Sequence, residues 1–237
     1  MDTPATDAAV PSSTRTAGKR TGHHRSGSAL RRRTGCEGTP EPRRHGAARA
    51  RLLAAAREEF AAHGMGGARV GRIAEQAGAN KERIYGYFGS KEKLFAAVVA
   101  EALAEQAALL GLPTGDPAEY AGRIFDLHQQ NPHMLRLMMW EALHYGTGTL
   151  PAEEQRTARY RDMITELSAT LNTPADPRTA HTFLALLGIA VLPAAFPQLT
   201  RLILGPAADA PVTRHHIVEL ARRMMADRPA AEPAPRT

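Results

Sequence analysis

Apolar residues recur along this chain at helical spacing, and short breaks rich in Pro and Gly separate the periodic segments. Positions i, i+3, i+4 and i+7 share one face of a helix, so this period predicts helices with one buried side. No convincing strand pattern is present. The sequence therefore predicts an all-α chain of about nine helices. They cover about 47–63, 70–77, 81–88, 91–110, 117–130, 131–145, 152–171, 178–191 and 212–226, with a turn or more at 197–204.

Two of the predicted helices are short and are separated by a turn of three residues. Gly78 ends the first, because glycine enters positive φ without steric cost. Asn80 can cap the second with its side-chain oxygen. Ile84 and Phe88, four residues apart, turn one face of the second helix inward. Two short helices joined in this way form a helix-turn-helix pattern, whose second helix enters the major groove of DNA.

The polar side of that second helix carries candidate contacts to DNA bases. Arg83 can donate to O6 and N7 of one guanine, and Glu82 can accept from a cytosine amino group. Lys81 can bind guanine or a phosphate. Gly86 has no side chain, so it lets the helix approach DNA closely. The alternative interpretation is an ordinary charged surface that faces solvent.

A longer pattern runs without a gap through residues 52–99. Its residues are Leu53-Ala54-Ala55-Ala56, Phe60, Gly64, Val70, Ile73-Ala74, Ala77-Gly78, Ile84-Tyr85, Tyr87-Phe88, Ser90-Lys91-Glu92 and Leu94. This stretch resembles the DNA-binding domain of the TetR family of transcriptional regulators. The resemblance implies an N-terminal three-helix domain that binds DNA and a C-terminal helical domain that binds an effector and dimerises.

Further DNA contacts follow from the resemblance, residue by residue. Tyr85, Tyr87 and Lys91 look like contacts to the DNA backbone, and Lys91 also lies at a helix N-terminus, whose dipole favours phosphate. Arg69 stands where the family usually has a capping Ser or Thr. Arg69 cannot accept the capping bond, but it can reach a phosphate. On the preceding helix, Glu59 is expected to face water. The predicted DNA-binding set is Arg43, Arg44, Arg69, Asn80, Lys81, Glu82, Arg83, Tyr85, Gly86, Tyr87 and Lys91.

Charge is distributed unevenly along the chain. Residues 1–50 hold ten Lys and Arg against four Asp and Glu, whereas residues 101–237 hold twelve against fifteen. The positive side therefore includes the helix-turn-helix, as attraction to phosphate requires. The N-terminal stretch shows no period and is either a solvated tail or a basic arm on phosphates, for which Arg43 and Arg44 are the better candidates. The predicted divisions are a disordered basic extension at 1–45, the helix-turn-helix domain at 46–95, an effector-binding and dimerisation domain at 96–228 and a disordered tail at 229–237.

Composition narrows the class of protein. Hydrophobic residues make up 43% of the chain, which is enough for a core, and the single cysteine, Cys36, excludes an intramolecular disulfide. The lack of a long uncharged apolar run and of a secretory leader predicts no membrane span and a cytoplasmic location. We expect no metal and no cofactor, because His23-His24 and His215-His216 are adjacent and do not share a helical face.

Thioether and aromatic side chains gather on two neighbouring predicted helices. Such groups suit an adaptable pocket for a small apolar or aromatic effector. For any single one of them, plain core packing is the alternative. The predicted ligand-binding residues are Phe125, His128, Met134, Met138, Met139, Trp140, His144 and Tyr145.

The helix near 182–191 and the last helix carry more apolar surface than one face can bury. In the family that this chain resembles, two such helices pair across a two-fold axis. The alternative is a helix buried wholly within one protomer. The predicted dimer residues are Leu184, Leu187, Val191, Ile217, Leu220 and Met224.

Together these patterns predict a sequence-specific DNA-binding regulator, in this family most often a repressor, and not an enzyme. We expect a homodimer on a palindromic operator, released by an effector that moves the long helix beginning at Lys91. One alternative is a regulator without an effector, whose C-terminal domain only dimerises or recruits a partner. A remote alternative is a helical-bundle enzyme, for which His128 and His144 are the only plausible catalytic residues.

Overall fold

The computed structural model describes residues 41–205 and 209–226, with side chains from residue 45 onward, within one compact unit that spans Thr39–Thr237. This part of the chain contains ten α-helices and no strand, which confirms the all-α prediction. The helix beyond the predicted nine is α9, expected only as a turn or more. The helices are α1 (Glu41–Gly67), α2 (Val70–Gln76), α3 (Lys81–Phe88), α4 (Lys91–Leu110), α5 (Pro117–Gln130), α6 (Pro132–Tyr145), α7 (Glu153–Thr170), α8 (Pro177–Ala195), α9 (Pro197–Leu204) and α10 (Ala210–Ala226).

Several helix boundaries differ from the expected ones, chiefly those of α1, which also continues past His63 to Gly67, and of α8. Helix α1 begins at Glu41, so Arg43 and Arg44 lie on helical backbone where disorder was expected. Helix α8 continues through Pro193 to Ala195, because a proline near a helix end removes only one backbone hydrogen bond. The predicted basic extension before Glu41, with Cys36, lies outside the described residues, as does the C-terminal tail.

Local capping bonds set several helix starts. Asn80 Oδ1 accepts from the Arg83 amide at 3.0 Å, and Ser90 Oγ accepts from the Lys93 amide at 3.1 Å. Between α2 and α3, Gly78 has φ of 61°, as the predicted turn requires. These bonds satisfy amide groups that a helix N-terminus otherwise leaves free. The short helices of the motif therefore begin and end where their sequence predicts.

Helices α1 and α3 pack against α4, and α2 packs against α1 and α3. Phe60 of α1 and Phe95 of α4 meet edge to face, with their ring centroids 5.0 Å apart. Ile73 of α2 and Ile84 of α3 are fully buried beside them. Arg57 of α1 also donates to Glu105 of α4 at 2.6 Å. The long helix α4 is therefore fixed to the N-terminal helices by both apolar and ionic contacts.

Helix α5 is the centre of the C-terminal half and packs against α4, α6, α8 and α10. Most of its side chains are buried, including Tyr120 and Ile124. Gly122 lets α10 approach closely, because a Cβ atom there would lie 2.9 Å from atoms of Arg214 and Val218. The apolar core formed around α5 is continuous with the core of the first three helices.

Helix α8 has one buried and one exposed apolar side. Phe183, Leu186 and Ala190 are buried, whereas Leu184 and Leu192 are exposed. Among the described helices it alone is long and apolar enough to cross a membrane, although the sequence predicted no span. In this fold it packs against α5, α7 and α10, which accounts for its apolar inner side.

His128 of α5 should make the stability of the fold depend on pH. Its side chain is 1% exposed, and neither ring nitrogen has a hydrogen-bond partner among the described residues. Burial lowers the pKa of His128 below its ordinary value of 6.5. Below that value the unfolded chain binds a proton that the folded chain excludes, so stability falls by up to about 1.4 kcal/mol per pH unit.

We therefore expect His128→Leu to flatten the acid side of the stability profile, measured by urea unfolding between pH 5 and 7.5. His133→Leu, at an exposed position of α6, is the matched control and should keep the wild-type slope. An unchanged slope in the His128 variant would contradict this account.

Candidate nucleic-acid interface and cavity

The outward side of α3 is polar and accessible. Lys81, Glu82 and Arg83 occupy its first turn and are exposed, and Tyr85 is 47% exposed. On the opposite side, Ile84 and Phe88 are buried in the core. Four predicted DNA-binding side chains therefore share one free surface of a well-anchored helix.

Gly86 keeps that surface flat. A Cβ atom built at Gly86 would have no heavy atom within 4 Å, so open space lies directly over the backbone. Lys81, by contrast, leans on α2, because a Cβ atom at Gly71 would lie 3.1 Å from its Cε. A surface of this shape can approach another molecule closely at the middle of α3.

The remaining predicted contacts are less exposed. Tyr87 is half-buried, with its ring 6.2 Å from that of Phe88 and 6.4 Å from that of His45 on α1. Lys91 is half-buried at the start of α4. Asn80 is exposed, but its side-chain oxygen is engaged in the cap of α3. Tyr87 therefore joins α3 to α1 and leaves only part of its ring to a partner.

At the N-terminus of α2, a buried carboxylate accepts the backbone hydrogen bond that a capping hydroxyl would otherwise accept. Glu59 of α1 is only 7% exposed and accepts from the Arg69 amide at 2.7 Å. The Arg72 guanidinium donates to the same carboxylate from Nε at 2.9 Å and from Nη2 at 2.5 Å. The expectation that Glu59 faces water was therefore wrong, because it supplies the acceptor that Arg69 cannot.

These bonds also set the charge state of Glu59. Burial raises the pKa of Glu59, but hydrogen bonds from Arg72 and from the Arg69 amide outweigh it, so its pKa lies below the ordinary 4.5. The side chain of Arg69 stays exposed beside this network. Glu59 thus holds α2 to α1 as a carboxylate and leaves Arg69 free to face outward.

Sequence reasoning missed Arg49 as a member of this surface. It is exposed on α1, and its Cζ lies 5.4 Å from the ring centroid of Phe88 at the end of α3. In the sequence, the one indication that Arg49 belongs to this surface is that it follows His45 by one helical turn. The structure thus adds a cation beside α3, while the side chains of Arg43 and Arg44 lie outside the described part.

A cavity of about 540 Å³ lies among helices α4 to α8, away from α3. Its walls are mainly apolar, with a few charged groups, which is typical of small-molecule sites. It is lined by Leu103, Gln106, Leu110, Tyr120, Ile124, Met138, Glu141, Gly146, Thr147, Gly148, Leu150, Glu153, Arg156, Thr157, Arg159, Tyr160, Met163, Phe183 and Leu187.

Of the eight predicted ligand-binding residues, only Met138 lines this cavity. The other seven lie on α5 and α6, as Met138 and further lining residues do, but they face away from the cavity, because neighbouring residues of a helix point in different directions. Phe125, His128 and Met134 are buried in the core, Met139, Trp140 and Tyr145 are half-buried elsewhere, and His144 is exposed.

Trp140 instead joins α6 to α1. Its Nε1 donates to the Ala61 carbonyl of α1 at 3.4 Å, and its ring lies on Gly64. Gly64 has φ of 63° within α1, and a Cβ atom there would come within 2.6 Å of the indole. Only glycine fits this position, so the kink in α1 and the indole depend on each other.

Two of the six predicted dimer residues are exposed, and one of the others, Leu187, also lines the cavity. Leu184 is 65% exposed and Leu220 is exposed, whereas Leu187, Val191 and Met224 are half-buried. Only Ile217 of the six is buried within the protomer. Other exposed apolar residues on or between α8, α9 and α10 were missed by sequence reasoning, namely Leu192, Phe196, Leu199, Leu202, Ile203 and Val212.

Comparison with known proteins supports the interpretation of both halves. The family model of bacterial regulatory proteins of the tetR family matches residues 52–98, and a tetracyclin repressor-like C-terminal domain model matches residues 116–223. The HTH-type transcriptional repressor SCO4008 of Streptomyces coelicolor is 35% identical over 184 residues, covering 76% of this chain and 95% of that protein. The repressor NicS of Pseudomonas putida is 35% identical over 102 residues, covering 40% of this chain and 48% of that protein. The crystal structure of the transcriptional regulator SCO4942 of Streptomyces coelicolor has a TM-score of 0.64 at 31% identity, covering 75% of this chain and 97% of that one.

Replacing Glu59 should loosen α2. We expect Glu59→Gln to destabilise the fold by about 1–3 kcal/mol at pH 7, because the Arg72 guanidinium loses a charged acceptor. The depressed pKa means that this contribution is present above pH 4.5 and is lost as pH falls through the folded pKa. Urea midpoints at pH 7 and pH 4 should show the difference narrowing, with exposed Glu75→Gln as the control; a constant difference would argue against the ionised network.

Gly86 should separate stability from DNA binding. We expect Gly86→Ala to stabilise α3 by about 1 kcal/mol, because alanine is the better helix former. Binding to a DNA duplex selected from a random pool should nevertheless weaken, and weaken further in Gly86→Gln, as the side chain holds the helix away from the bases. Thermal melts and binding isotherms measure the two effects, and undiminished binding in both variants would mean that Gly86 does not face DNA.

Proposed function

The chain belongs to the TetR family of transcriptional regulators, and we propose that it represses transcription by binding a palindromic operator as a homodimer in the cytoplasm. We further propose that a small effector in the C-terminal cavity releases it from DNA. Regulators of this family are DNA-binding proteins and are normally not enzymes. The specific proposals concern the residues that read DNA, the dimer and the effector.

The free polar side of α3 is the observation that carries the proposal. We assign Arg83 to one guanine, which it would bind bidentately, and Glu82 to the amino group of a cytosine. Lys81, Tyr85, Tyr87 and Lys91 are assigned to phosphates or nearby bases, which fix the register of the protein without specifying sequence. Arg69 at the N-cap of α2 and Arg49 on α1 are assigned to phosphates too, as are Arg43 and Arg44 on the first turn of α1.

A homodimer would cover the exposed apolar side of α8, α9 and α10. Helix α9 has no buried residue within the protomer, although Leu199, Leu202 and Ile203 are apolar. Exposed apolar surface of this extent marks an interaction site. A two-fold axis there would present two copies of α3 to one side of DNA, about 34–36 Å apart or a multiple of that distance. The operator would then be a near-palindrome.

Two helices connect the cavity to the proposed DNA surface. Helix α4 lines the cavity with Leu103, Gln106 and Leu110, and it begins at Lys91. Helix α6 lines the cavity with Met138, while Trp140 rests on α1. An effector that prefers the arrangement in which the two α3 helices no longer fit DNA would weaken binding, typically by 1–3 kcal/mol.

The cavity favours this reading over a regulator without an effector, whose C-terminal domain would need no space of about 540 Å³. The enzyme alternative gains no support from its two candidate histidines. His128 is buried without a polar partner in the described structure, and His144 is exposed, and neither lines the cavity. Within the described residues, no group of three or more His, Cys, Asp or Glu side chains is arranged to hold a metal ion.

Selection of bound duplexes from a random pool tests the proposal directly. We expect an inverted repeat, and we expect Arg83→Ala to lose discrimination at one or two positions of each half-site, by about 1–3 kcal/mol. Arg161→Ala, at an exposed position of α7, is the control and should keep the wild-type preference. No preferred duplex, or a uniform loss across all sequences in the Arg83 variant, would contradict base recognition by α3.

A further inference from the structure

We propose that the cavity is built for an amphipathic anion, meaning a ligand with an extended apolar body and one carboxylate that Arg159 binds. This inference rests on the proposed function, because it names the chemical class of the effector. It follows from the division of the cavity into an apolar end and a charged end, and from the pairing of the charges.

The apolar end lies deep in the C-terminal half. Ile124 of α5, Met163 of α7 and Phe183 of α8 are all buried and line the cavity from three helices. Leu103 of α4 and Leu187 of α8 line it as well. The lining residues of α5 and α8 carry no charge, and the hydroxyl of Tyr120 on α5 donates to the Gly111 carbonyl, so this end offers mainly apolar contact to a ligand.

The charged end lies toward the surface, at the start of α7. The lining residues of this helix include exposed Glu153, Thr157 and Tyr160, half-buried Arg156 and Arg159, and Met163, which is 6% exposed. Positions 156, 159, 160 and 163 are spaced by three or four residues and so lie on one face. The polar loop at 146–150 closes the same end of the cavity. A ligand that fills the site must therefore place its polar group near the two arginines.

Three of the four charged groups in the lining already have partners. Arg156 donates to both carboxylate oxygens of Glu141, from Nη1 at 2.7 Å and from Nη2 at 2.9 Å. Glu153 is exposed and accepts from the Leu150 amide at 2.8 Å. Arg159 has no hydrogen bond or ion pair within residues 41–205 and 209–226. One positive charge is therefore left at the polar end.

The surroundings of Arg159 favour a carboxylate over other groups. Tyr120 lies close enough to Arg159 to feel its charge. Burial raises the pKa of Tyr120, and the positive charges of Arg159 and Arg123 oppose that rise. A cation at this end would meet both guanidinium groups, with both carboxylates already engaged. A neutral apolar ligand would cover the Arg159 guanidinium without giving it an acceptor, which costs free energy. A single carboxylate satisfies Arg159 and leaves the Glu141–Arg156 pair intact.

Three ligands with the same ten-carbon body test this assignment on the full chain, namely decanoate, 1-decanol and decylamine. We expect isothermal titration calorimetry to show the tightest binding for decanoate. Arg159→Gln should weaken decanoate roughly 10- to 100-fold, the range for a lost charge-assisted hydrogen bond, and should change 1-decanol little. Arg159→Lys should retain part of the decanoate affinity, and Arg161→Gln, exposed on the same helix, is the matched control and should match the wild type.

The proposal is overturned if decanoate and 1-decanol bind equally, if decylamine binds best, if none of the three binds, or if the Arg159→Gln and Arg161→Gln variants behave alike. Circular dichroism of each variant shows whether it is folded, and the Arg159→Lys comparison separates loss of charge from loss of structure. Binding of the selected duplex without ligand is measured in parallel. A protein that binds its duplex but none of the ligands overturns only the effector class, whereas a protein that binds no duplex overturns the proposed function.

Discussion

The burial of Ile84 and Phe88 decides which side of α3 faces outward, and the rest of the DNA-binding half serves that arrangement. With these two side chains in the core, the 3.6-residue period leaves Lys81, Arg83 and Tyr85 on the free side. The neighbouring helix is held by Glu59, which supplies α2 with an acceptor from α1. The outward surface of this eight-residue helix is thus positioned by the contacts of its buried side with the core.

In the C-terminal half, too, contacts on the inner side of the helices fix their positions. Its core surrounds α5, and two of the five helices that line the cavity, α4 and α6, also pack against the N-terminal helices. Helix α4 connects by continuous backbone, and Arg57 pairs with Glu105 to fix its direction relative to α1. Helix α6 connects by the contact of Trp140 with Gly64. A shift of either helix at the cavity must therefore be taken up at α1 or at the start of α4.

The sequence predicted what local chemistry determines. The turn at Gly78, the caps at Asn80 and Ser90 and the bounds of α4 depend on residues within a few positions of one another. The role of Glu59 could not be predicted in this way, because its partners lie ten and thirteen residues away on another helix. A pocket in this half was predicted, but its lining was not, since the cavity is formed by five helices whose relative rotation no single segment specifies. Thioether and aromatic content pointed to α6, but Trp140 and Met138 face different neighbours.

The chain has one tryptophan, and the fold places it where the two halves of the protein meet. Any sliding of α6 against the bend in α1 alters the polarity around this indole. The intrinsic fluorescence of the unlabelled protein therefore depends on the geometry of that junction. Such a signal would arise outside the cavity itself, and it would therefore report transmitted motion and not the mere arrival of a ligand.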